Sequence, residues 1–251
     1  MNILVCIKRV PMTGAKIVLH DDAQSIDTRH LGFTFSPHEE CAVEEAVRLV
    51  ETHGGTVTVL TLGSDASTEQ LRYALSMGAK EAILLETDGE EWGPLSTAKA
   101  ITEAVQSKGP FDMLMFGNEA ADTGGYQVGI RVAQALDLPC VTGIKGLDVD
   151  GNTALAKKEI AGGFEVYEVN LPAVFTVKEG LNYPRYPSVP GKLRAKKAPI
   201  DTINPTKHDE AFARIRLHVP QEEESQVDVL GEGKAAIPKV LEVFKDLGLI
   251  A

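Results

Sequence analysis

Cysteine is scarce in this chain of 251 residues: Cys6, Cys41 and Cys140 are the only three, far apart and without CxxC or Cys/His spacing. That argues against a disulfide framework, a zinc site and an iron–sulfur cluster, and leaves small buried residues in a reducing compartment. No stretch approaches the roughly 20 consecutive apolar residues of a membrane span, so an integral membrane protein is not expected. The opening MNILVCIK has no basic n-region and no small-residue cleavage site, and it reads as a first strand of a cytoplasmic protein. Positive charge is short as well, 25 Lys and Arg against 36 Asp and Glu for a net charge of −11, which opposes nucleic acid as a partner. The local exception is the basic run Lys192, Arg194, Lys196 and Lys197. Reaction motifs are missing too. There is no GxxxxGK[ST], no GxGxxG after the first strand, no GxSxG and no HExxH, and the histidines at 20, 30, 38, 53, 208 and 218 show no ligand spacing. No metal site and no catalytic site of its own are expected; a binding or carrier role is left.

What is present is a regular alternation. Nearly continuous apolar runs at Asn2–Lys8, Thr56–Leu62, Glu81–Glu86 and Asp112–Gly117, with a short one near Pro139–Thr142, read as strands covered on both faces. The intervals between them are long enough for crossover helices, which predicts a parallel sheet. Ser36-Pro37-His38-Glu39 supplies an N-cap, a proline for the first turn and a capping-box Glu. Ser64 or Asp65 is expected to cap a helix ending at Met77-Gly78. The fold expected is α/β: three layers, α/β/α, around a mainly parallel, doubly wound, Rossmann-like sheet. Past Leu147, alternating runs joined by the turn Asp150-Gly151 extend the same core. The stretch LNYPRYPSVPGKLRAKKAPI has prolines at 184, 187, 190 and 199, which point to an extended loop over about 182–198 and against a regular helix. A nucleotide-binding domain over 1–200 and a C-terminal arm over 201–251 are expected. The arm carries acidic patches such as Glu222-Glu223-Glu224 and ends in an amphipathic helix, with Ile237, Val240, Leu241, Phe244 and Leu247 on one face. That face needs a surface, either this domain or a partner subunit.

The most informative loop runs from Gly117 to Gly129 at the end of the fourth strand, GNEAADTGGYQVG. Ligands of open parallel sheets bind beyond the strand ends where strand order reverses. Gly124 and Gly125 let the backbone approach a ligand, and the helix that follows directs free N–H groups there, a seat for a phosphate.

The blocks ILVCIKRVP, SPHEECAVEEAVRL, LRYALSMGAKEAILL, AADTGGYQVG, KKEIAGGFEVYEVNLPAVFTV and LNYPRYPSVPGKLRAKK, in this order and spacing, resemble the beta subunit of electron transfer flavoproteins over roughly residues 1–200. The resemblance implies a heterodimer with a larger alpha subunit that holds most of a redox-active FAD, while the beta subunit binds AMP for structure. It implies an AMP pocket made by Cys6, by Ser36, Pro37, His38 and Glu39, by Leu62, and by Gly117, Asn118, Ala121, Asp122, Thr123, Gly124, Gly125, Tyr126, Gln127 and Val128. It further implies that the proline-rich stretch is a recognition loop docking flavoprotein dehydrogenases through Val189 and Pro190, with Lys192, Lys196 and Lys197 steering the approach, and that electrons leave to an acceptor such as a quinone oxidoreductase.

The pattern departs from the family at several points. Thr123, Gly124 and Gly125 follow Asp122 where acidic residues are frequent, Ala161 precedes Gly162-Gly163, and Tyr167 and His38 stand where aliphatic and aromatic residues are common. Thr13 takes the place of an aromatic residue near the flavin, and the segment Arg9 to Thr13 is the one expected to approach it. Two alternatives stay open: a bifurcating member with a second FAD in place of AMP, and a stand-alone nucleotide-binding regulator resembling universal stress proteins. AMP is favoured because nothing in the loop signals a flavin.

Overall fold

The computed structural model describes residues 1–12, 14, 16–210, 212–220 and 227–250. Thr13 and the patch Glu222-Glu223-Glu224 lie outside the described residues. In chain order the strands are β1 (Asn2–Cys6), β2 (Val10–Pro11), β3 (Phe33–Thr34), β4 (Thr56–Gly63), β5 (Glu81–Glu86), β6 (Met113–Gly117), β7 (Cys140–Asp150), β8 (Thr153–Ile160), β9 (Gly163–Asn170), β10 (Ala173–Val177) and β11 (Asp201–Ile203). The helices are α1 (Pro37–His53), α2 (Thr68–Met77), α3 (Pro94–Lys108), α4 (Val128–Ala135), α5 (Val189–Lys197) and α6 (Ile237–Asp246).

Nine strands form one sheet in the order β11-β5-β4-β1-β6-β10-β7-β8-β9. All pairs from β11 to β7 are parallel, and the hairpins β7–β8 and β8–β9 are antiparallel. Side chains alternate across the sheet as the strand period of two requires. Ile3 and Val5 of β1 pack with α1, α2 and Ala195 of α5 in one core layer. Leu4 and Cys6 pack with α3 and α4 in the other. Each fully buried Leu, Ile or Val in these layers stabilises by about 1.5–3 kcal/mol. The chain steps outward from β1 to β4 and β5, then returns through α3 to place β6 on the opposite side of β1. Strand order therefore reverses between β1 and β6, whose C-terminal ends open on one crevice.

The capping box stands as read: Glu39 N–H donates to Ser36 Oγ at 3.4 Å, and Ser36 N–H donates to Glu39 Oε2 at 2.9 Å. The hairpin turn is also in place, with Gly151 at φ +57° between β7 and β8. Other boundaries differ. The first strand ends at Cys6, and the short run near Pro139 is an 11-residue strand that changes partner from β10 to β8 along its length. Neither Ser64 nor Asp65 caps a helix with its side chain; Asp65–Ser67 form a 3₁₀ turn, and α2 starts at Thr68.

The proline-rich stretch is the main correction. Half of it is helix α5, because its prolines bracket the helix instead of interrupting it. Pro190 falls in the first turn, where no N–H is needed, Ser188 Oγ accepts from Gly191 N–H at 3.1 Å, and Pro199 follows the C-cap Ala198. At the other end, α6 has no buried residue among those described: Ile237, Leu241 and Phe244 are exposed. This domain does not cover the apolar face of α6. No helix among the described residues is long and apolar enough to cross a membrane.

Gly129 sets how closely α4 approaches the sheet, since a Cβ there would lie 2.9 Å from Thr176 Cγ2 and 3.2 Å from Phe116 Cγ. Gly129→Ala is expected to destabilise the fold by about 1–3 kcal/mol, read by urea denaturation; an unchanged midpoint would contradict this packing.

Candidate functional site

The crevice beyond β1 and β6 has a volume of about 860 Å³. Its floor and walls are Cys6, Glu39, Leu62, Gly117, Asn118, Asp122, Thr123, Gly125, Tyr126, Gln127 and Val128, all anticipated from the sequence. Ser36, Pro37, His38, Ala121 and Gly124 lie beside it without lining it. His38 is held by its neighbours: Nδ1 accepts from Glu179 N–H at 2.8 Å, and Nε2 lies 3.3 Å from Glu119, which lines the crevice.

Glu39 organises the base of the site. Oε1 accepts the N–H of Lys8, just past β1, at 3.0 Å, and Oε2 accepts the Ser36 N–H ahead of α1. The side chain is buried, and Gly117 at the end of β6 packs on it so closely that a Cβ would stand 2.7 Å from Glu39 Cγ. One carboxyl thus joins the strand exit, the helix start and the neighbouring strand end. Burial pushes its pKa up to about 8, with the two backbone donors opposing the shift only in part. Cys6 beside it is a neutral thiol, its pKa driven far upward by burial. All three cysteines are free, Cys6 and Cys41 buried and Cys140 half-buried, and no group of residues able to hold a metal is found among those described.

The loop between β6 and α4 is tightly wound. Gly124 has φ +56° and donates its N–H to Ala120 O at 2.8 Å, and Tyr126 also sits in the left-handed region at φ +55°. A bulky residue there stores of the order of 1 kcal/mol of strain, a feature that gathers at ligand sites. The first bond within α4 runs from Arg131 N–H to Gln127 O at 3.0 Å. The N–H groups of Val128, Gly129 and Ile130 therefore have no carbonyl within the helix, and with the helix dipole they favour an anion at this end of the crevice. Asp122 is held by Lys8, whose Nζ lies 2.7 Å from its Oδ2. Thr176 Oγ1 takes the Gly143 N–H at 2.9 Å and donates to Asn118 Oδ1 at 2.8 Å, fixing that side chain. Arg9 lies with Cζ 3.4 Å over the Phe33 ring, and its buried Nε has no partner.

Several lining residues escaped the sequence reading. Lys8 is one: it stands 114 positions from the anticipated Asp122, and nothing local pairs the two. Trp92 carried a usable signal, being the only tryptophan. Lys207, Glu210, Phe212 and Arg214 of the arm also line the crevice. Glu210 accepts the Leu95 and Ser96 N–H groups at the start of α3, at 3.3 and 2.7 Å, Lys207 pairs with Glu90, and Arg214 pairs with Glu91.

Because the folded pKa of Glu39 lies above its ordinary value of 4.5, the fold favours the protonated form, and its contribution is lost as pH rises from that value towards about 8. Relative to Glu39→Gln, the native chain is expected to lose up to about 1.4 kcal/mol per pH unit across this window, followed by Trp92 fluorescence in denaturant. Parallel pH profiles would rule out a raised carboxyl.

The family model of the electron transfer flavoprotein domain matches residues 25–208. Among similar proteins, the electron transfer flavoprotein subunit beta of Bacillus subtilis (strain 168) is 38% identical over 205 residues, covering 81% of this chain and 79% of its own. The subunit of the same name from Syntrophomonas wolfei is 33% identical over 247 residues, 98% of this chain and 96% of its own, and that of Thermoanaerobacterium thermosaccharolyticum is 36% identical over 197 residues, 78% and 75%. A matched domain over most of the length, together with relatives that cover at least three quarters of both chains and in one case nearly all of them, establishes that this chain belongs to the electron transfer flavoprotein beta subunit family.

Proposed function

We propose that the chain assembles with an alpha subunit and helps pass electrons between flavoprotein dehydrogenases and an acceptor such as a quinone oxidoreductase. The observation that carries this reading is the meeting of the β1 and β6 strand ends with the N-terminus of α4 on one crevice, in a chain of this family. AMP is the ligand that best suits the crevice. The unpaired N–H groups at the start of α4 and the partnerless Arg9 Nε favour its phosphate, and the apolar walls at Cys6, Leu62 and Val128 favour its base. Ser36, Pro37 and His38 act behind the wall, where Ser36 and the lining residue Glu39 form the cap that holds α1 in place. The chain has no catalytic site of its own in this reading: FAD, held mainly by the alpha subunit, supplies the electron transfer, and the residues here bind, orient and dock.

The outward surfaces suit the same role in a cytoplasmic heterodimer. Residues 1–200, completed by the edge strand β11 and the crevice residues Lys207, Glu210, Phe212 and Arg214 of the arm, form the nucleotide-binding unit, and the uncovered apolar face of α6 gives the end of the 201–251 arm a reason to lie on the alpha subunit. Val189, exposed at 73%, and Pro190 begin α5, with Lys192, Lys196 and Lys197 behind them, in keeping with a docking segment over 182–198 for an acidic dehydrogenase surface.

Denaturing the purified heterodimer and counting what it releases tests the reading. About one FAD and one AMP per heterodimer are expected. Two flavins and no AMP would replace AMP by a second FAD, and a stable homodimer free of flavin would favour a stand-alone regulator.

A further inference from the structure

Arg185 is fastened to α1 through its whole guanidinium. Nε donates to Glu44 Oε2 at 2.8 Å and Nη2 to Glu44 Oε1 at 3.2 Å, while Nη1 and Nη2 reach Glu51 at 2.6 and 2.9 Å. The Arg185 backbone N–H adds a third bond to Glu44, at 3.1 Å. Glu44 is among the largest fully buried side chains in the protein, an unusual place for a carboxylate unless it is paired. The neighbours of Arg185 are tied to the same helix: Arg48 donates to Tyr183 O at 3.1 Å, and Asn182 Nδ2 donates to Cys41 O at 3.0 Å. On the far side, Arg72 of α2 donates to Ala195 O at 2.6 Å, and Gly191 lies so close to α2 that a Cβ would stand 2.7 Å from Ser76 O.

A segment held this firmly would be expected to bury its apolar side chains, yet it presents four of them to solvent, Leu193 of α5 and three that stand directly before prolines. Tyr183 is 92% exposed, Tyr186 96% and Val189 73%. Each directly precedes a proline, at 184, 187 and 190. Proline restricts the backbone of the residue before it, and the bonds around Arg185 fix the segment as a whole, so little conformational freedom remains to be lost on contact. Exposed tyrosines on a rigid backbone are the side chains that protein interfaces favour as anchors. The charges beside them indicate the partner: Lys192, Arg194, Lys196 and Lys197 are exposed, and none has an acidic partner within 4.0 Å among the described residues of a chain whose net charge is −11.

We propose that Tyr183 and Tyr186 join Val189 as contacts to an acidic-rimmed flavoprotein dehydrogenase, and that Arg185, held by Glu44 and Glu51, is the positioning residue for all three. The inference rests on the docking role proposed for segment 182–198. Breaking the Arg185 clamp frees the backbone that carries the anchors and weakens docking without touching the electron-transfer step.

The test uses the assembled heterodimer as electron acceptor for a flavoprotein dehydrogenase that, reduced by its own substrate, reduces the native heterodimer, with dithionite as a reductant that needs no docking. Tyr183→Ala, Tyr186→Ala, Val189→Asp and Arg185→Ala are each expected to raise KM for the heterodimer about five- to thirtyfold. Arg185→Lys, which keeps the charge and part of the bonding, is expected to recover some of that loss. The value of kcat and the rate of dithionite reduction should stay within about twofold, as docking and chemistry are separate. If Arg185→Ala does not fold, Glu51→Gln removes the exposed half of the clamp without stranding a buried charge, and it too should raise KM. A KM that responds to Val189→Asp but not to the tyrosine and Glu51 variants would overturn this inference and leave the docking reading standing. A KM indifferent to Val189→Asp, or no saturable reduction, would overturn both.

Discussion

Both oxygens of the Glu39 carboxyl accept backbone N–H groups, one just past the first strand and one ahead of the first helix, and the last glycine of the sixth strand rests against its methylene. The placement of the crevice depends on this contact. The exits of β1 and β6 are already paired in the sheet, and the Glu39 carboxyl is what ties the start of α1 to both. The cost is a buried ionisable group whose charged form is disfavoured, and the fold meets that cost with hydrogen bonds rather than with a counter-charge in contact. Burial holds both Glu39 and the neighbouring Cys6 thiol towards their neutral forms.

A division of labour follows from the layers. The inner faces of the sheet are closed and apolar, and they position the crevice at the reversal of strand order. The surfaces that look unfinished by the standards of a monomer lie elsewhere: the apolar face of α6 and the pre-proline side chains of the 182–198 segment. In the proposed function these three regions serve a nucleotide, a partner subunit and a passing dehydrogenase respectively. The arm links two of them, since it crosses the crevice through Lys207, Glu210 and Arg214 before it reaches α6.

Much of this was legible in the sequence where the signal was local. Ser36-Pro37-His38-Glu39 specifies its own cap, the continuous apolar runs specify strands covered on both faces, and Asp150-Gly151 specifies its turn. The loop from Gly117 to Val128 could be placed at the strand ends from the alternation alone. Helix α5 is masked by the proline count, because a proline opposes a helix only inside it, and here Pro190 falls in the first turn and Pro199 beyond the end. The full length of β7 was obscured by glycines, Gly143 being at φ +69°, and β11 is only three residues long. The arm's place in the crevice and the Lys8–Asp122 pair arise between residues more than a hundred positions apart, which no local pattern encodes.

Amide hydrogen exchange on the assembled heterodimer, with its nucleotide and after the nucleotide has been removed, tests most directly whether the crevice at the strand reversal is the nucleotide's seat. The account predicts that removal exposes amides within 36–39 and 117–130 while 182–198 keeps its protection. Loss of protection confined to other segments, with 117–130 unchanged, would contradict it.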